Sequence, residues 1–287
     1  MIKSFVLLLV LVSLSLSSGL YDGGNFHNGG WGLKPRSEDV IVTPISTFTV
    51  PSATQMLGMD YCESDENLAI SDNATATIRG IVPGSGAEAW SMNIPYSGIY
   101  GVCQTGGIGP DATWYATSWS TSELYKWDPE KKGWSVAFED PAGTYGRGMD
   151  FDEENNEIWE VDAMYGFHQI EETGASTMHI LDYALGWLGG VALFPYGDDL
   201  GIVVTYYDFY YFAFYSFDGD ELTFLGEGHI EVPNFTDSYG ISYNPSSDTF
   251  FWTYEIYGGE NKITEFDYEF QTTSLNRDTW AGIKTSF

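Results

Sequence analysis

Apolar and polar positions in this chain alternate in short runs of four to eight residues, with no helical stripe among them. Between residues 148 and 181 four such runs follow one another: Gly148–Asp152, Glu157–Asp162, Gly166–Glu171 and Ser176–Leu181. Turns rich in Glu, Asn, Gly and Thr separate them. Residues 101–139 repeat the layout as Gly101–Thr105, Thr113–Trp119, Glu123–Asp128 and Gly133–Glu139. Further along, Ile202–Tyr206 and Tyr210–Phe217 read as a hairpin around Tyr207-Asp208-Phe209. Gly240–Asn244, Thr249–Glu255, Lys262–Tyr268 and Thr272–Leu275 form another set of four. Strand-length runs bounded by turn residues predict an all-β chain.

The first run of each set opens on a recurring phrase. It is clearest as Gly58-Met59-Asp60-Tyr61, Gly148-Met149-Asp150-Phe151 and Gly240-Ile241-Ser242-Tyr243, and fainter at Gly101, Gly190 and Gly282. These glycines recur every 42–50 residues. A period of that length built from four short strands predicts a β-propeller, one blade per repeat. The chain ends set the blade count. Gly282–Phe287 reads as an innermost strand with nothing after it, while Asp39–Thr43 and Ile45–Val50 read as third and fourth strands with no first. Together they make one blade, so the expectation is six four-stranded blades in a ring closed by N- and C-terminal strands. Five blades with loose ends is the alternative, and the Gly-rich stretch 22–32 is the weakest strand material in the six-blade count.

Composition adds location. Lys3, the apolar run Phe5–Val12 and the small residues Ser13–Gly19 read as a secretory signal over residues 1–19, leaving 20–287 as a single propeller domain. The apolar run is too short to cross a bilayer, which takes about 20 residues. The expected protein is therefore secreted, extracellular or periplasmic, with no membrane span, and monomeric. It has 41 acidic against 11 basic residues, a formal net charge of −30. Such a chain repels nucleic acid. Its acidity suits solubility in an extracellular medium, or attraction for divalent cations or a cationic partner. Cys62 and Cys103 are the only cysteines and occupy consecutive repeats. In an oxidising compartment they predict a disulfide between the first two blades, worth roughly 4 kcal/mol in the chain-entropy account. Two buried thiols that never meet is the other reading.

In a propeller, innermost strands start and second strands end at one rim of the central channel. Tyr100, Tyr145, Trp187, Tyr239 and Trp280 stand one to three residues before a phrase glycine, and Arg147 directly before Gly148. They are the candidate binding residues, since aromatic faces stack on sugars or anchor peptides; packing between blades would use the same residues. Second-strand ends supply Asp72, Asp162, Asp208 and Glu255. Four carboxylates at one mouth suit a hard cation such as Ca²⁺, the one cofactor the sequence suggests. Asp at strand ends also caps turns. His27, His168, His179 and His229 have no metal-ligand spacing, and there is neither a nucleophile elbow nor a phosphate-binding glycine loop.

The stretches Gly148–Asp162 and Gly58–Asp72 resemble the blade pattern of six-bladed propellers of the NHL-repeat, gluconolactonase and TolB kind: inner strand, polar turn, aromatic-bearing second strand, terminal Asp. The gluconolactonase resemblance implies a divalent metal at this mouth, held by Glu, Asn and Asp from different blades, with Asp72 and Asp162 in comparable positions. No complete catalytic constellation accompanies them. The sequence thus points to a non-catalytic binder of an extracellular protein or glycan through an aromatic and acidic rim. The alternative is a metal-dependent lactonase- or esterase-like hydrolase.

Overall fold

The computed structural model describes residues 40–181 and 186–271. The expected signal stretch 1–19, the runs 272–275 and 282–287, and Trp280 lie outside them. Among the described residues, twenty strands form five antiparallel sheets of four. Blade 1 is β2 (Met56–Cys62), β3 (Asn67–Asp72), β4 (Thr77–Val82) and β5 (Ala87–Asn93). Blade 2 is β6 (Ile99–Thr105), β7 (Thr113–Ser118), β8 (Glu123–Asp128) and β9 (Gly133–Glu139). Blade 3 is β10 (Gly146–Asp152), β11 (Glu157–Asp162), β12 (Gly166–Glu171) and β13 (Ser176–Ile180). Blade 4 is β14 (Leu188–Tyr196), β15 (Asp199–Tyr206), β16 (Phe209–Phe217) and β17 (Leu222–His229). Blade 5 is β18 (Phe235–Asn244), β19 (Thr249–Ile256) and β20 (Glu260–Phe270), and its fourth strand is β1 (Val40–Thr49) from the other end of the chain.

The propeller has five blades, not the expected six. The two strands expected on either side of Pro44 are one strand, β1, paired with β20 from Val40↔Phe270 to Thr49↔Lys262. Proline cannot donate to a ladder, and a sheet interior would reject it. On an outermost strand it is tolerated, and the pairing shifts between Pro44 and Ser46 to accommodate it. The N-terminal strands that suggested a sixth blade therefore complete the fifth.

Each phrase glycine among the described residues sits in a β-bulge. Pairing with the second strand jumps from Met56 to Met59, Ile99 to Val102, Gly146 to Met149, Leu188 to Val191 and Ser238 to Ile241. The skipped pair is always the glycine and the residue before it. Glycine is needed because inner strands touch there: a Cβ on Gly58 would stand 2.2 Å from Tyr100 O, on Gly101 2.0 Å from Arg147 O, and on Gly148 2.5 Å from Gly190 Cα. A Cβ on Gly190 would stand 2.7 Å from Tyr239 O, and on Gly240 2.6 Å from Met59 N, which returns the series to blade 1.

A bulge leaves backbone groups without ladder partners, and in blades 1, 2 and 4 a hydroxyl on the second strand takes them up. Gly58 N donates to Ser71 Oγ (2.7 Å), which donates to Tyr100 O of the next blade (2.5 Å). Gly101 N, Thr117 Oγ1 and Arg147 O form the same relay at 2.8 and 2.9 Å, and Gly190 N, Thr205 Oγ1 and Tyr239 O at 2.7 and 2.6 Å. These hydroxyls tie neighbouring inner strands together. Thr117→Val keeps shape but strands the Gly101 N–H and the Arg147 carbonyl. We expect a loss of about 1–3 kcal/mol in urea unfolding, the cost of buried groups left unsatisfied. An unchanged midpoint would show that the relay contributes nothing.

The hydrophobic core occupies the wedges between blades. One cluster packs blades 1 and 2 (Ile78, Met92, Val102, Trp114), one blades 2 and 3 (Tyr115, Leu124, Met149, Ile158), one blades 3 and 4 (Trp159, Phe167, Val191, Tyr215). Blades 4 and 5 share Phe194, Phe212, Phe250, Trp252 and Phe266, and blades 5 and 1 share Phe251, Ile263, Met59 and Ile70. The aromatic-dense run 206–217 is spent on this packing, with Tyr206, Phe212, Phe214, Tyr215 and Phe217 buried. The wedges also overturn the expected disulfide. Cys62 lies in the wedge between blades 1 and 2, and Cys103 in the wedge between blades 2 and 3, so sheet 2 separates two free, buried thiols.

Candidate functional site

Starts of inner strands and ends of second strands share one rim, and backbone hydrogen bonds knit its loops together. Ala163 N donates to Tyr145 O (3.0 Å) and Leu188 N to Ala163 O (3.0 Å). Tyr207 N donates to Trp187 O (2.7 Å), and Ser238 N to Tyr207 O (2.8 Å). Side chains carried by these loops are thus held by main chain, the arrangement that presents a ligand with a preformed surface.

The rim collects the exposed aromatic side chains. Among the described residues, Trp119, Tyr145, Tyr165, Trp187 and Tyr257 are the exposed aromatics, with accessibilities from 45% to 84%. Tyr145 and Trp187 directly precede β10 and β14; Trp119, Tyr165 and Tyr257 occupy the turns after β7, β11 and β19. All five therefore lie on this rim. Chance would have scattered them over both rims and the outer strands.

The expected binding residues divide by depth. Tyr145 and Trp187 are open to solvent, whereas Tyr100 and Tyr239 are buried and pack with Leu57 and Tyr207 at the channel mouth. Ring centroids lie 6.5 Å apart for Tyr100–Tyr239 and 5.6 Å for Tyr207–Tyr239, both edge-to-face. Arg147 donates to Thr144 O (3.1 Å) and Gly146 O (2.8 Å), and its guanidinium lies 5.2 Å from the centroid of the Tyr100 ring. Burial raises the phenol pKa of Tyr100 and Tyr239, so both stay neutral hydroxyls.

The four expected carboxylates occupy separate surroundings. Asp72 is fully buried and accepts from Thr54 N, Gln55 N (3.0 Å), Thr75 Oγ1 (2.8 Å) and Arg79 Nε (3.2 Å). Asp162 is buried, accepts from Met164 N (2.8 Å) and has His168 Nε2 at 3.9 Å. Asp208 follows β15 in the turn before β16, and Glu255 lies near the end of β19, where Tyr239 Oη donates to its Oε2 at 3.4 Å. Among the described residues no three His, Cys, Asp or Glu side chains converge closely enough to hold a metal ion.

Sequence reasoning missed Asp237, which pairs directly across the ladder with Glu255. It also passed over two carboxyl pairs, buried except for the half-buried Asp150. Asp60 and Asp150, third residues of the phrase in blades 1 and 3, floor a cavity of about 480 Å³ at the opposite rim, walled by Glu63, Gln104 and Glu153. Asp60 accepts from Gln104 N (2.9 Å) and Asp150 from Leu193 N (2.7 Å), each reaching the next blade. Burial raises both carboxyls, and Asp150 charge raises Asp60 further; Asp150 reaches about 7. Their identical place in two copies of the phrase was the available signal. The second pair is Asp140 and Glu160. A Cβ on Gly146 would stand 2.2 Å from Glu160 Oε1 and 2.7 Å from Asp140 Oδ2, so the two carboxyls crowd one point. Asp140 accepts from Ala142 N and Gly143 N at 2.7 and 3.0 Å, whereas both Glu160 oxygens are buried with no donor. Two carboxylates cannot hydrogen-bond without a proton between them. That proton belongs on Glu160, because only Asp140 has backbone donors supporting its charge. Burial raises Asp140 to about 6, and burial with the Asp140 charge pushes Glu160 well up.

No protein-family model matches the chain, and no curated protein matches it in sequence. Solved structures do. Glutaminyl cyclase of Myxococcus xanthus is similar over 82% of this chain and 99% of its own at a TM-score of 0.59 and 13% identity. The PQQ-bound aldose sugar dehydrogenase of Streptomyces coelicolor is similar over 82% and 100% at 0.52 and 12% identity. A chain of the nidogen/laminin complex is similar over 75% and 84% at 0.51 and 10% identity. The shared property is the β-propeller. At these identities the likeness carries fold alone, and such folds host unrelated functions.

Proposed function

We propose that this protein is a secreted, non-catalytic propeller whose rim binds an extracellular protein or polysaccharide. The observation that carries the reading is the gathering of Trp119, Tyr145, Tyr165, Trp187 and Tyr257 on one rim, with no other exposed aromatic among the described residues. Large aromatics are costly to leave in water, and Trp and Tyr dominate the energetics of interfaces. The backbone mesh between the loops favours binding further, since little ordering entropy remains to be lost. The signal-like residues 1–19 support export, and the acidic surface suits an extracellular medium.

The test is capture of ligands from an extracellular extract and from a glycan array, using mature protein against Trp119→Ala/Trp187→Ala. Each tryptophan anchor contributes about 2 kcal/mol if it sits at the centre of the interface. The double variant should therefore lose at least about tenfold in affinity while keeping its unfolding midpoint. Met178→Ala/Ile180→Ala, on the exposed outer strand β13, should bind as the parent does. Equal capture by the tryptophan variant overturns the reading.

A further inference from the structure

We propose that the channel mouth is a binding site for an organic cation, the guanidinium or ammonium group of a basic peptide segment, set against the Tyr207 ring and neutralised by Asp208, Asp237 and Glu255. The inference rests on the rim being the ligand surface and names the chemistry that its centre recognises.

Asp237 and Glu255 are direct cross-strand partners in the β18–β19 ladder. Like charges placed opposite each other destabilise a sheet. Asp208, in the β15–β16 turn, adds a third carboxylate to the group, since it and Glu255 both push the Asp237 pKa up after burial. Burial raises Asp208 as well. Among the described residues no Lys, Arg or His forms an ion pair with any of the three; the ion pairs of the propeller lie elsewhere. The chain thus concentrates carboxylates without an ion-pair partner where its hydrogen-bonded rim loops meet.

A second observation is independent of the acids. Tyr100 is 3% exposed, yet its hydroxyl has no hydrogen-bond partner. Its electrostatic neighbours are Arg147, Tyr207 and Asp237, which place that oxygen at the same mouth. A buried hydroxyl left without a partner costs about 1–3 kcal/mol, and an N–H donor from a ligand would recover it. The half-buried ring of Tyr207, packed edge-to-face on Tyr239, supplies the remaining wall, and tyrosine faces attract cations when desolvated. Arg147 already occupies this role on Tyr100, with its guanidinium 5.2 Å from the ring centroid. The spread of the carboxylates decides between cations. A hard ion needs six to eight oxygens within about 2.6 Å of one point, and no three acidic groups among the described residues converge in that way. A guanidinium is planar and broad, and it takes carboxylates at its edge and rings on its faces. This chemistry favours a protein partner over a neutral polysaccharide.

The experiment is calorimetric and NMR titration of the mature protein with N-acetyl-arginine amide, N-acetyl-lysine amide, the neutral isostere N-acetyl-citrulline amide, and CaCl₂. The arginine and lysine compounds should bind with an affinity that falls as salt rises, and the citrulline compound at least about tenfold more weakly. Asp237→Asn/Glu255→Gln should lose at least about tenfold in cation affinity while its thermal midpoint holds or rises, because a like-charge pair has gone. Tyr100→Phe keeps the ring and removes only the hydroxyl; a weakening of about threefold or more is expected. Absence of cation binding, equal binding of citrulline, or Ca²⁺ binding at this mouth while both amines fail would each overturn the proposal. Failure here is separable from failure of the rim reading. Loss of ligand capture in the tryptophan variant with no cation binding removes the cation site alone. Cation binding with undiminished capture in that variant removes the aromatic rim instead.

Discussion

The folded protein should lose stability as pH rises from about 4 to about 7. Its carboxyls Asp150 and Asp140 titrate near 7 and near 6 in the folded state, and Asp60 and Glu160 are raised as well, all chiefly through burial. The unfolded chain releases the same protons near 4. A group whose folded pKa is raised stabilises the fold fully below its unfolded pKa, and that contribution disappears as pH passes through the folded value. A tenfold difference in proton affinity between the folded and unfolded chain is worth about 1.4 kcal/mol. Asp150 alone spans about three such tenfold steps and Asp140 about two, so the combined loss is several kcal/mol, on the order of 5–7. For a chain of this size it corresponds to roughly 10–20 °C in Tm. Thermal unfolding between pH 4.5 and 8 checks the direction. The net charge of −30 acts in the same sense through self-repulsion, so the diagnostic lies in the variants. Asp150→Asn keeps an acceptor for Leu193 N, and Glu160→Gln keeps a donor toward Asp140; each should flatten the profile by removing one late proton. A profile that rises with pH, or variants that leave its slope unchanged, would show that these carboxyls are ordinary.

These acids mark where sequence reading reaches its limit. Blades 2 and 3 were legible almost residue for residue, because each of their strands is a run bounded by turn residues, as in Glu123–Asp128 and Glu157–Asp162. The blade count was not, because periodicity cannot tell a terminal strand that starts a new blade from one that completes an old one. Only the β1–β20 pairing settles it. The rim was legible as a location, and Tyr145 and Trp187 as exposed members of it. Asp237 was hidden because bulges shift the register of β18 at Phe235/Asp237 and again at Ser238/Ile241, so its partner Glu255 cannot be counted from the turn. The two cysteines show the same limit differently. Neighbouring repeats suggested a bridge, but each cysteine faces the blade that follows its own, so the two lie in different wedges.

A single methyl group on an axial glycine should unsettle the whole propeller. On Gly101 the added Cβ would meet the Arg147 carbonyl oxygen at 2.0 Å and Thr117 Oγ1 at 2.9 Å. On Gly148 it would meet Gly190 Cα at 2.5 Å and Val191 N at 3.0 Å. The opposing atoms are mainly backbone of the adjacent inner strand, so no side-chain rotation can relieve the clash. Relief requires two blades to move apart, which opens the wedge behind them and breaks the Gly101–Thr117–Arg147 relay. Overpacking of this kind costs about 3 kcal/mol, or roughly 10 °C in Tm for a chain of this length. Gly133 provides the contrast. It starts the outer strand β9, and a Cβ there would meet only Lys131 O at 3.9 Å. Gly133→Ala should leave the Tm unchanged or raise it by restricting the unfolded chain. Differential scanning calorimetry of Gly101→Ala, Gly148→Ala and Gly133→Ala separates the two roles. If the axial variants melt with Gly133→Ala, the inner strands do not approach as closely as the glycine contacts require. If they melt well below it, the recurring glycine is the residue that lets five sheets meet at one axis. The rim loops, which hang from those inner strands, should then lose ligand binding in the same variants before global unfolding begins.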